Sequence, residues 1–127
     1  LSHSRRGYNR LMAQKEMTVF VKAKDLIKYT FQMTNSTKRF PKKTRFTLVN
    51  RMQNLVLDIY SKLLKANELP IPQRKPLQID ILSDIKILLF LIELSQGKHI
   101  SEKQCAVWVN KALDVKYLTA AWMVKTR

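Results

Sequence analysis

Turn-forming residues are scarce in this chain, with two glycines and four prolines among 127 residues. A sheet protein of this length reverses direction every few residues and needs Gly, Pro, Asn or Asp to do so. Punctuation this sparse predicts a few long helices instead. Cysteine occurs once, as Cys105, which excludes an intramolecular disulfide and fits a reducing, cytoplasmic compartment. The longest apolar run, Ile87 to Ile92, is far too short to span a bilayer, so a soluble protein is expected. Residues Leu1 to Arg10 contain no apolar stretch of the kind a signal peptide requires. Residues 1–16 are read as a basic N-terminal arm, or as a vector-derived remnant ahead of a start at Met12 or Met17. They are set apart from a single domain over residues 17–127.

Acidic residues are also few: 9 Asp and Glu stand against 24 Lys and Arg, a formal charge of +15. Self-repulsion on that scale opposes a compact monomer unless anions offset it. A polyanionic partner is therefore expected, RNA foremost. The imbalance is local. Residues 1–67 carry 15 basic and 3 acidic side chains, whereas residues 68–127 carry 9 and 6. One face or end is basic, and the rest is close to balanced.

Apolar residues make up 46% of the chain, enough for one core, and they recur with helical spacing. The first helix is predicted from about Thr18 to Met33, with Phe20, Ala23, Ile27 and Thr30 or Phe31 inward. Thr34-Asn35-Ser36-Thr37 ends it, because those side chains compete for backbone hydrogen bonds. The second is predicted from Pro41 to about Ala66, with Phe46, Val49, Met52, Val56, Ile59 or Tyr60, and Leu63 inward. The third is predicted from Lys75 to Ser95, with Pro76 near its start and Gly97 just past its end, the usual asymmetry. Ile81, Ile85, Leu88, Leu89 and Ile92 form its core stripe. Its second half is also apolar behind, at Ile87, Phe90, Leu91 and Leu94. A helix apolar all round is covered on every side, so it is either the central helix or a subunit interface. The fourth is predicted from Ser101 to about Lys125. A capping box of Ser101 with Gln104 opens it, Cys105, Trp108, Val109, Ala112 and Leu113 face inward, and Lys116 interrupts that face. Helices of this length joined by short links pack as an antiparallel, up-down four-helix bundle.

Residues that carry chemistry are nearly missing. His3, His99 and Cys105 do not make a metal site at their spacing, and His99 is read as a solvated loop residue. Cys105 lies near a helix start, where a thiol is activated only with a base in reach, and is read as a small core residue. Asp80 and Asp84 are neighbours on one helix face. The pair suits weak Mg²⁺ binding, but an acid at a helix start ordinarily offsets the dipole. Two isolated glycines cannot build a phosphate loop. No catalytic residue, metal or cofactor is assigned.

The basic signal is sharper. No Asp or Glu occurs between Leu26 and Leu57, a stretch that holds Lys28, Lys38, Arg39, Lys42, Lys43, Arg45 and Arg51. The densest part, Lys38 to Arg45, straddles the predicted start of the second helix. Cations there oppose the positive end of the dipole at a cost of about 0.3–1 kcal/mol each. A side-chain cap is missing as well, since Phe40 precedes Pro41 where Ser, Thr, Asp or Asn is preferred. An uncapped, positively charged helix start suits phosphate. Lys38, Arg39, Lys42, Lys43, Arg45 and Arg51 are the candidate nucleic-acid contacts, with Phe40 the candidate for stacking on an unpaired base and Phe46 assigned to the core. The competing reading has Asp80 or Asp84 neutralise the loop from another helix.

Phe40-Pro41-Lys42, Arg45-Phe46-Thr47-Leu48 and the closing Leu64-Lys65-Ala66-Asn67 resemble the S23/Avd-like four-helix-bundle family. That family includes proteins encoded by intervening sequences of bacterial large-subunit ribosomal RNA. It also includes Avd, the accessory variability determinant of diversity-generating retroelements. The resemblance implies a basic homopentameric barrel that binds template RNA and the retroelement's reverse transcriptase. Such a protein supports mutagenic copying, while the polymerase supplies the active site. Ile87, Phe90, Leu91 and Leu94 then become the expected subunit interface. The alternative is a structural adaptor of the same fold whose basic face docks acidic protein partners. A membrane-surface helix fits less well, because the apolar stripes are already needed for the bundle.

Overall fold

The computed structural model describes residues 17–125. Four α-helices fill them: α1 (Thr18–Thr34), α2 (Asn50–Glu68), α3 (Lys75–Ser95) and α4 (Glu102–Lys125). No strand occurs among the described residues. The expected fold class, an all-α four-helix architecture, is therefore present. Each helix packs on the next, and α4 closes back onto α1. The α1–α4 pair runs antiparallel: Lys111 reaches Asp25 at 2.7 Å, Lys22 lies 3.9 Å from Asp114, and Tyr29 donates to the Gln104 carbonyl at 3.4 Å. Partners earlier in α1 thus meet residues later in α4.

The core forms one cluster along the bundle axis. α3 contributes Ile81, Ile85, Leu88 and Ile92 at spacings of three and four, the period that keeps one helix face inward. α4 contributes Cys105, Trp108, Ala112, Val115, Thr119 and Trp122. Its seam therefore reaches the end of the helix, and Lys116 sits beside it, not across it. The predicted inward residues Val109 and Leu113 are only half-buried. Inside the core, the Trp108 indole N–H donates to Thr30 Oγ1 at 2.9 Å. Thr34 Oγ1 donates to the Thr30 carbonyl at 2.7 Å, and Gln53 Nε2 donates to Thr34 Oγ1 at 2.9 Å. This chain ties α1, α2 and α4 at one level and satisfies polar groups that would otherwise be costly to bury.

The α2–α3 and α3–α4 links are short and shaped by their own residues. The predicted capping box is present: Ser101 N–H donates to Gln104 Oε1 at 3.0 Å, and Gln104 N–H donates to Ser101 Oγ at 3.1 Å. Gly97 has φ of +89°, a left-handed conformation that favours glycine, and its N–H donates to the Ile100 carbonyl at 2.9 Å. At the other end of the bundle Arg74 fastens the α2–α3 link. Its Nε donates to the Leu69 carbonyl at 2.9 Å, and its guanidinium lies 5.7 Å from the Trp122 ring centre.

The second helix departs from expectation at its start. A 3₁₀ turn (Lys42–Thr44) and a π-helical turn (Arg45–Val49) precede α2 in place of a continuous α-helix from Pro41. A π turn bonds i to i+5 and so carries an extra residue. The inward residues here are accordingly Thr44 and Val49, five apart. Phe46, assigned to the core by an α-helical count, is 84% exposed.

Candidate nucleic-acid interface

The α1–α2 and α3–α4 links lie at the same end of the bundle and touch. The carbonyl of Arg39 lies 2.9 Å from His99 Nδ1. A carbonyl only accepts, so Nδ1 carries the hydrogen. The Phe40 ring stacks on His99, with centroids 4.8 Å apart and planes 22° apart. It also meets Trp108 edge-on at 6.4 Å. Phe40 is 2% exposed and is a plug that closes the end of the core.

This corrects two expectations. Phe40 cannot stack on a base, because both its neighbours and its burial occupy the ring. His99 is not a solvated loop histidine, because it holds the two links together. The physical reason is common to both: an aromatic beside an open bundle end gains more from covering core than from water, about 1.5–3 kcal/mol for a ring.

With Phe40 turned inward, the residues around it turn outward. Lys38, Lys42, Lys43, Arg45 and Arg51 are exposed, and Arg39 is half-buried. Lys38 to Arg45 run through loop, 3₁₀ turn and the start of the π turn, with Phe40 and Thr44 inward. Arg51 follows on the first turn of α2. None of the six makes an ion pair among the described residues. The competing neutralisation is not observed. Asp84 is taken by Lys62 at 2.7 Å, with the Lys62 ammonium pKa raised by that hydrogen bond. Asp80 contributes attraction at the same ammonium. None of the three helical segments from Pro41 onward has a side-chain cap at its start, as the sequence suggested. Thr44, the nearest hydroxyl, donates to the Pro41 carbonyl at 2.7 Å.

Two members of this surface escaped the sequence reading. Lys98 is exposed next to His99, so the Arg39–His99 contact brings a cation from the other link to the same end. Phe46 is the most exposed of the large apolar side chains among the described residues. The charge of Lys98 was visible in the sequence, but its place depended on a contact across 60 positions. For Phe46 no signal existed, because the π turn that exposes it breaks the period used to place it.

Cys105 is buried, as expected. Burial pushes its thiol pKa up, and Glu93 and Glu102 add to the rise. A raised pKa suppresses the thiolate, the reactive form. On the outer face of α3, Ile87, Phe90 and Leu94 are exposed and Leu91 is half-buried. Among the described residues nothing covers this face. No helix among the described residues is long and apolar enough to cross a membrane.

The fold and this surface together define an all-helical domain with a cationic end. No family model matches the chain, and neither a curated protein nor a solved structure is significantly similar to it.

Proposed function

We propose that this protein is a non-catalytic RNA-binding module whose cationic end grips phosphates. One observation carries the reading: Lys38, Arg39, Lys42, Lys43, Arg45 and Arg51 gather on one end with no carboxylate paired to any of them among the described residues. Ordinary surface cations are interleaved with acids that pair with them. Here an external anion is the group that offsets the charge, and a phosphate backbone supplies several at once. Contacts of this kind position a nucleic acid without reading its sequence.

The finer proposal follows the sequence resemblance. The protein acts as an accessory subunit of a diversity-generating retroelement, holding template RNA beside a reverse transcriptase that performs the chemistry. It assembles as a homopentamer through Ile87, Phe90, Leu91 and Leu94. Support for this assembly is the uncovered apolar face of α3, since exposed apolar patches mark interaction surfaces. Within the resembling segments, Phe40 and Ala66 are core residues, so part of the likeness reflects packing. The charges at Lys42 and Arg45 are the part that bears on RNA.

The deciding experiment reverses Lys42, Lys43 and Arg45 to Glu together and measures RNA binding by anisotropy and helicity by circular dichroism. Loss of binding with helicity intact is expected. Retained binding moves the site elsewhere and overturns the assignment.

A further inference from the structure

Phe46 is an unusual residue to leave in water. It is 84% exposed, and neither face of its ring meets another ring or a cation among the described residues. It follows Lys43 by three positions and Lys42 by four, with Arg45 adjacent. Lys42 and Lys43 lie in the 3₁₀ turn and Arg45 opens the π turn that holds Phe46, so the three cations and the ring fall within five consecutive residues. All three cations are exposed. The chain therefore leaves an aromatic side chain open to water within a short stretch of cations that have no ion pair among the described residues. The π turn is what presents it, since an α-helical count would place Phe46 on the inward stripe with Val49 and Met52. π turns of this kind recur at functional sites.

Resting on the RNA-binding reading above, we infer that Phe46 stacks on an unpaired base while Lys42, Lys43 and Arg45 hold the flanking phosphates, so that the target is single-stranded RNA. Aromatic platforms in cationic grooves bind single strands because every base has a free face to offer. In a duplex those faces are already stacked on each other, and A-form RNA is met through backbone and shape. The ring thus discriminates single strand from duplex, a distinction that charge alone does not make. Sequence preference is not expected, since stacking tolerates every base.

The test compares two labelled RNAs, a single strand of about 20 nucleotides without self-complementarity and the matching duplex, longer than the site of one small domain. Wild-type protein should bind the single strand more tightly. Phe46→Ala should weaken single-strand binding by about 5- to 150-fold, the range for losing one base–aromatic stack. It should leave duplex binding nearly unchanged, and Phe46→Trp should retain the single-strand preference. Because the ring is outside the core, these variants should fold as wild type does. Equal loss on both RNAs, or no loss on the single strand, overturns the stacking role. If Phe46→Ala is silent while the triple charge reversal abolishes binding, the stacking inference alone falls. If the triple reversal is silent as well, the RNA-binding reading falls with it. A changed sedimentation coefficient for Phe46→Ala with unaltered RNA affinity also overturns the inference and assigns the ring to a contact between protein chains.

Discussion

Removing the Phe40 ring takes away its stack on His99 and its edge contact with Trp108 together. It also opens the end of the core between the two links. Phe40→Ala should therefore cost about 3–5 kcal/mol in a urea titration, the range for emptying a buried aromatic site. Phe46→Ala, on a side chain already in water, should stay within about 0.5 kcal/mol. A small effect at Phe40 would mean that the links are not locked through that ring. The two phenylalanines also show where reading by residue type stops. One stands beside a proline in a polar loop, and the other continues a clean apolar stripe. Both were placed on the wrong side of the surface. What places Phe40 is a partner 59 positions away at His99, and what places Phe46 is a change of helical type. Neither leaves a mark on local periodicity. Cys105 was legible because a small apolar residue on an inward stripe has one place to go.

Among the elements, α3 is the one whose second half is apolar on both its inward and its outward face. Inward it offers an unbroken aliphatic seam, and outward it leaves Phe90 57% and Leu94 52% exposed. Such a face loses free energy in water and regains about 25 cal/mol for each Å² that a partner covers. If it joins subunits, Phe90→Glu combined with Leu94→Glu should convert an oligomer into a monomer by analytical ultracentrifugation, with helicity unchanged. A wild-type protein that sediments as a monomer at high concentration would remove the subunit role of this face. The bounds of α1, α3 and α4 followed from caps, prolines and the 3.6-residue period to within a residue or so. The start of α2 did not, because three different helical windings fit the same string of residues. The winding adopted is the one that lets Thr44 and Val49 both face inward.

At the scale of the whole molecule, the net charge sets a salt dependence. About six phosphate contacts should reduce RNA affinity on the order of a thousandfold between about 50 and about 200 mM salt. A flat response would exclude phosphate gripping as the source of affinity. That the chain is helical and basic, with one stretch whose cations have no acidic neighbours in sequence, was determined by composition and order alone. Few turn residues demand long helices, and an acid-free stretch from Leu26 to Leu57 has no neighbours to neutralise it. Only the tertiary structure decided which side chains around that charge face water. Antiparallel packing brings the α1–α2 and α3–α4 links to one end, where Phe40 and His99 close the core. With Phe40 turned into the core, Lys38, Lys42, Lys43 and Arg45 face outward, and Lys98 joins them from the other link. Periodicity is a local property and records which face of a helix is apolar. The closure of a bundle end is a non-local one, set by which rings fit together once the helices have met.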